Sequence, residues 1–148
     1  YSEIGDRRFA KKRRLKFLVM DDDNMMRDVI SVMFKVLDYE VDMASHGEEA
    51  VPMYQQALEK GETYDAVVLD LTVRGGMGGK ETLEKLRKIN PGIKAIISSG
   101  HSNNPAMVDF ADHGFAGALP KPYLRKELDR VIREVVGGGG SSKLKGES

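Results

Sequence analysis

Five short apolar runs recur along this chain with helix-length segments between them, and that alternation restricts the fold more than any other feature. The runs are LKFLVM (15–20), EVDMA (40–44), AVVLD (66–70), KAIIS (94–98) and AGALP (116–120), each of strand length. The segments between them carry apolar residues at three- and four-residue spacing. Met26, Val29, Ile30, Met33, Phe34 and Leu37 form one stripe, and Leu83, Leu86 and Ile89 another. NNPAMVDFADHG offers Asn104 as N-cap, Pro105 at the first helical position and Gly114 as a stop. LRKELDRVIREVV gives a last amphipathic helix. Pro52 is expected in the first turn of the second helix, where the missing N–H costs little. Strands alternating with helices imply an α/β fold with a parallel sheet covered on both faces.

Such sheets bind ligands beyond the carboxyl ends of their strands, which says where chemistry should be sought. The first strand runs into Asp21, Asp22 and Asp23; the third ends on Asp70; the fourth ends at Ser98, Ser99 and Gly100; the fifth runs into Lys121 and Pro122. All of these fall on one edge. Clustered carboxylates repel one another unless a cation compensates, and an all-oxygen set suits a hard divalent ion such as Mg²⁺. A carboxylate can also act as a nucleophile toward phosphorus, with a metal, a lysine and a hydroxyl stabilising the transferred group. Asp23 is expected to act as a helix cap instead.

Glycine is dense just after Asp70, at Gly75, Gly76, Gly78 and Gly79, followed by Lys80. The run suggests a phosphate-binding loop but fails in detail. Arg74 stands where the first glycine of that pattern belongs, and Glu81 where Ser or Thr should reach the metal. The dinucleotide fingerprint fails as well, because its third glycine falls on Glu81. A nucleotide-binding enzyme is therefore a minor alternative.

Composition narrows the field further. At 148 residues, 41% apolar and 31% charged, the chain has the profile of one soluble domain. Basic and acidic residues balance at 23 each, so no net field recruits nucleic acid or anionic membrane. Cysteine is absent, which excludes disulfides, thiolate metal sites and cysteine nucleophiles. No run approaches membrane-spanning length and no secretory signal is visible, so the expected location is cytoplasmic. Residues 1–15 are expected to form a polar, basic linker rather than a nucleic-acid arm, residues 16–136 the folded domain, and residues 137–148 a flexible Gly/Ser-rich tail. The chain does not begin with Met, which gives the expectation of a fragment.

FLVMDDDNMMR, AVVLDLTVRGGMGG, AIISSG and LPKPY, in this order and spacing, resemble the receiver domain of two-component response regulators. The wording is most similar to receivers attached to hybrid sensor histidine kinases, and the resemblance covers about residues 16–136. It implies a flavodoxin-like doubly wound (βα)5 fold with a five-stranded parallel sheet in the order 2-1-3-4-5, a family order that the general rule for such sheets also names. It implies that Asp70 is both the phosphoacceptor and a ligand of Mg²⁺ (or Mn²⁺), that Asp22 binds the metal directly and Asp21 through water, and that Thr72 adds a backbone carbonyl. Ser99 and Lys121 would contact the phosphoryl group, Gly100 would leave its path open, and the Lys121–Pro122 bond would be cis. The implied function is Mg-dependent transfer of phosphoryl from a phosphohistidine to Asp70, followed by slow hydrolysis. That is self-phosphorylation and autophosphatase chemistry rather than turnover.

The implied partners are a histidine kinase or histidine phosphotransfer domain, with no nucleic acid and no membrane, and with dimerisation through the face of helix 4, strand 5 and helix 5. Three positions depart from or tune the pattern. Arg74 replaces a frequent proline, which would leave the loop after Asp70 less constrained. Ala118 replaces the usual switch tyrosine or phenylalanine, so phosphorylation would be read out differently. Thr72 and His101 occupy positions that tune phosphoryl lifetime in the family. A phosphorylation-independent pseudo-receiver that only docks partners is the alternative within the same fold.

Overall fold

The computed structural model describes residues 14–137. The expectations for residues 1–13 and 138–148 lie outside the described residues. In chain order the elements are β1 (Lys16–Met20), α1 (Asn24–Val36), β2 (Glu40–Ala44), α2 (Gly47–Glu59), β3 (Ala66–Asp70), α3 (Gly79–Ile89) and β4 (Ala95–Ser99). Then follow α4 (Pro105–Val108), a 3₁₀ turn (Phe110–His113), β5 (Gly117–Pro120) and α5 (Arg125–Gly137). The five strands form one sheet in the order β2-β1-β3-β4-β5, all parallel. Each expected strand is present to within a residue or two.

The side-chain alternation of the strands divides the core into two layers. Leu18, Met20, Val67, Leu69 and Ile97 face α2, α3 and α4, meeting Ala50, Tyr54, Leu83, Leu86 and Met107. Phe17, Val19, Val68 and Ile96 face α1 and α5, meeting Ile30, Phe34, Leu128 and Ile132. β3 and β4 are buried along their whole length, as expected for inner strands covered on both sides. Phe17, Phe34 and Tyr39 pack edge to face in the second layer, with ring centroids 5.3–6.2 Å apart.

Two helices differ from the sequence expectation. Asn104 does cap α4, accepting from the Ala106 N–H at 2.9 Å, and Gly114 does stop the segment at φ +89°. The segment is nevertheless not one helix. It breaks at Asp109 (φ −110°, ψ 49°) and continues as a 3₁₀ turn. Aspartate favours turns over helix interiors, and a single short helix gains little from its own hydrogen bonds. The second difference is Pro52. α2 begins at Gly47, so Pro52 stands in its second turn rather than its first. The ring lies on the exposed side, where water can reach the carbonyl that loses its helical donor.

Phe34 is fully buried and sits at the centre of the aromatic group. Phe34→Ala should cost about 3–5 kcal/mol by lost transfer energy and cavity formation. Urea unfolding followed by circular dichroism would read this as a lower midpoint at an unchanged slope.

Candidate functional site

The parallel topology brings the carboxyl ends of β1, β3, β4 and β5 to one edge. Asp21 follows β1 directly, and its N–H donates to the Ala44 carbonyl of β2 at 3.0 Å, continuing the ladder one residue past the strand. Its side chain is fully buried, at 0% exposure, and Asp70 is 4% exposed. Asp22 is half-buried beside them. One carboxylate oxygen from each of Asp21, Asp22 and Asp70 lies within 4.8 Å of the other two. The cluster read from separate strand ends is thus a single site.

Lys121 enters it from the end of β5. Its Nζ stands 2.7 Å from Asp21 Oδ2 and 3.1 Å from Asp70 Oδ2. The Lys121–Pro122 bond is cis, as the resemblance implied. Asp21 Oδ1 accepts the Asp23 N–H at 2.9 Å, whereas Asp21 Oδ2 is buried with the ammonium beside it but no partner in hydrogen-bond geometry. Asp23 turns away and caps α1, accepting from the Met25 and Met26 N–H groups. It is a helix cap, as expected.

Burial pushes the Asp70 carboxyl up to about 6; the Lys121 charge opposes this and the Asp21 charge adds to it. For Lys121, burial acts to lower the pKa, but the close contact with Asp21 and the charges of Asp70 and Asp21 outweigh it, and the net shift is upward. Three clustered carboxylates thus share one partly buried ammonium, which contacts Asp21 and Asp70. The deficit of positive charge and the oxygen-only donors both fit a hard divalent cation.

The remaining candidates surround this centre. Thr72 is exposed on the loop after β3, and its N–H approaches Asp70 Oδ1 at 3.4 Å. Ser99 ends β4 and is buried, with its Oγ accepting the His101 N–H at 3.0 Å. Gly100 and His101 are exposed, and a Cβ on Gly100 would meet open space. Ala118 lies in β5, partly buried against the first core layer and paired in register with Ile97. No aromatic ring stands at that position.

Arg74 departs from the expectation of a looser loop. Its backbone N–H donates to Asp22 Oδ2 at 2.9 Å, and its exposed guanidinium comes within 3.9 Å of the same oxygen. A proline could not make the first contact, because it has no N–H. The substitution therefore adds a tether between the loop and the acid cluster.

The glycine run has a packing role. A Cβ on Gly79 would stand 2.8 Å from the Asp70 carbonyl oxygen, and one on Gly78 would stand 2.7 Å from that of Leu71. The Gly76 position is pressed equally close to the His46 side chain. Met77 bridges to the start of α2, donating its N–H to Glu48 Oε1 at 2.9 Å and accepting the Gly47 N–H at 3.0 Å. The Gly79 N–H in turn donates to the Leu71 carbonyl at 3.4 Å. These amides are directed at protein acceptors rather than toward a phosphate, so nothing here resembles a nucleotide cradle.

One contact was not anticipated. The Tyr123 hydroxyl donates to Ser98 Oγ at 2.7 Å, and both residues are buried. Ser98 is the register partner of Asp70, so the bond ties the segment after Lys121 to the strand beside the phosphoacceptor candidate. The signal available in the sequence was a tyrosine placed directly after the Lys–Pro pair.

The Asp70 shift has a measurable consequence in the metal-free protein. Its folded pKa lies above the ordinary value of 3.8, so the group favours folding when protonated. That contribution is complete below about pH 4 and is lost as pH rises through about 6. In chelator, Asp70→Asn should gain stability over the parent by on the order of 2–3 kcal/mol between pH 4 and 8. Thermal melts of the two proteins across that range would test this, and a flat difference would contradict it.

This chain is similar to known proteins in sequence and fold. Residues 17–133 match the family model for the response regulator receiver domain. The chemotaxis protein CheY of Listeria monocytogenes is 33% identical over 119 residues, covering 80% of this chain and 92% of that protein. The sensor kinase CckA of Brucella abortus is 30% identical over 119 residues, covering 80% of this chain but 12% of the kinase. The chain also spans only 42% of the length of another curated receiver protein that it matches. Among solved structures, the receiver domain of a Pseudomonas aeruginosa sensor histidine kinase, described with magnesium in its active-site cleft, superposes with a TM-score of 0.73. That likeness is at 21% identity and covers 85% of this chain and 100% of the other, so it speaks for the fold. With its flavodoxin-like sheet, its acid-rich strand edge and a family match over most of its length, this chain belongs to the response regulator receiver domain family.

Proposed function

We propose that this domain is the phosphoacceptor of a two-component phosphorelay, taking phosphoryl from a phosphohistidine onto Asp70. The observation that carries the reading is the partly buried Lys121 ammonium shared by Asp21 and Asp70 within a three-carboxylate cluster. A carboxylate oxygen of Asp70 attacks phosphorus as the phosphorus–nitrogen bond breaks, and the imidazole leaves with the electron pair. Lys121 stabilises charge on the transferred oxygens, and Ser99 offers its hydroxyl to them. Asp22 would hold a divalent cation directly, Asp21 through water, and Thr72 through its carbonyl. Bound there, Mg²⁺ (or Mn²⁺) would neutralise the phosphoryl oxygens during transfer in both directions.

Hydrolysis of the resulting acyl phosphate would be slow, with Gly100 leaving room beside Ser99 and with Thr72 and His101 flanking the approach of water. The donor would be a histidine kinase or a histidine phosphotransfer domain, with no part for nucleic acid. The match to 12% of a sensor kinase fits residues 16–136 as one module of a hybrid protein, and the match to 92% of CheY fits them equally as a stand-alone receiver. A cytoplasmic location accords with described helices too short or too polar to cross a membrane. Ala118 favours a second reading, a docking module without phosphorylation-driven switching, because the ring that would follow Ser99 is missing. A dimer through α4, β5 and α5 would have the exposed apolar residues Val108 and Leu124 to use.

Incubation with acetyl phosphate and Mg²⁺ should add one phosphoryl group by intact mass. Asp70→Asn should add none, and Lys121→Ala should slow labelling by about 100-fold, the scale on which losing one charge-stabilising donor acts. Equal labelling of Asp70→Asn would refute the assignment. If beryllofluoride with Mg²⁺ left the amide resonances around Asp70 and Ser99 unmoved, the docking reading would take its place.

A further inference from the structure

We propose that the solvent face of α1 is a self-association surface through which two copies of this chain pack antiparallel. The helix already buries Ile30 and Phe34 against the sheet, with Met26, Met33 and Leu37 packed beside them. On its other side Met25, Val29, Val32 and Val36 are 78%, 54%, 59% and 57% exposed. Their spacing of four, three and four residues sets them in one line about 16 Å long. This is the a/d spacing of a two-helix seam, on a face that a solvated helix usually fills with polar residues. Contiguous exposed apolar surface of this kind marks an interaction site.

The charges beside the seam identify what covers it. Asp28 and Lys35 directly precede Val29 and Val36, so both lie on the same flank, one heptad apart. Both are exposed, and neither enters an ion pair among the described residues. An antiparallel pairing sets Met25 against Val36 of the second copy and Val29 against its Val32. The flank of each helix then meets the same flank of the other, and Asp28 faces Lys35 twice across the two-fold axis. A parallel pairing would instead oppose Asp28 to Met33. The surface is therefore complementary to itself in one orientation. The exposed apolar residues named for the α4–β5–α5 face, Val108 and Leu124, form no such line. One helix face per copy falls below the roughly 800 Å² per partner of a stable interface, so the dimer is weak and concentration-dependent.

Sedimentation equilibrium of the full 148-residue chain, from about 10 µM to about 1 mM, should show reversible dimerisation. Val32→Glu should leave a monomer with an unchanged circular dichroism spectrum, since the residue is exposed. Asp28→Lys and Lys35→Asp alone should each weaken the dimer by about tenfold, and the double reversal should restore it. Three results would each overturn the proposal: a monomer throughout, as expected if the stripe serves a phosphodonor instead; a double reversal no tighter than the single ones; or a dimer dissolved by Leu124→Glu but not by Val32→Glu.

Discussion

Everything at the functional edge depends on one ion-pair arrangement, the Lys121 ammonium lodged between Asp21 and Asp70. Two buried carboxylates with no counter-charge could not both remain ionised in such a place. One lysine, delivered from the far side of β3 by the end of β5, supplies part of the compensation and leaves part of it lacking. That remaining deficit makes the site receptive to a divalent cation. Burial, with the Asp21 charge adding to it, keeps the Asp70 carboxyl at a pKa near 6, close to the range in which a cell operates. The sheet topology follows from the same requirement, because only parallel strands bring four carboxyl-terminal ends to one edge.

Around that centre the chain is arranged to hold the Asp70 backbone and its loop in place. Gly78 and Gly79 let the loop and α3 press against the carbonyls that follow the phosphoacceptor candidate, and Met77 fastens the loop to the start of α2. Arg74 fastens it to Asp22 through a bond that proline would forbid. Tyr123 and Ser98 fasten the Lys121 segment to β4. Several independent tethers therefore fix the backbone and neighbours around Asp70, and such preorganisation is what electrostatic catalysis requires.

Much of this was legible in the sequence. The strands were readable because inner parallel strands are continuous apolar runs, and the candidate residues because each closes one of those runs. α1, α3 and α5 were readable from their periodicity. The break at Asp109 was not, since a cap, a first-turn proline and a glycine stop frame one helix and a broken one equally well. Pro52 was misplaced because the start of α2 is set by Met77 and Gly47, contacts distant in sequence. The tethers of Arg74 and Tyr123 are likewise long-range hydrogen bonds, to which local patterns are blind. The exposed stripe of α1 lay hidden for another reason: Val29 shares the helical period with the core stripe, and only the fold shows which of these residues face water.

The central claim is that the strand-edge carboxylate Asp70 becomes an acyl phosphate. Borohydride reduction after incubation with acetyl phosphate and Mg²⁺ tests it most directly, because only an acyl phosphate is reduced to the corresponding alcohol. Peptide mass analysis should find homoserine in place of aspartate at position 70 and unmodified aspartate at positions 21 and 22. Reduction at either of those positions, or at none, would contradict the account.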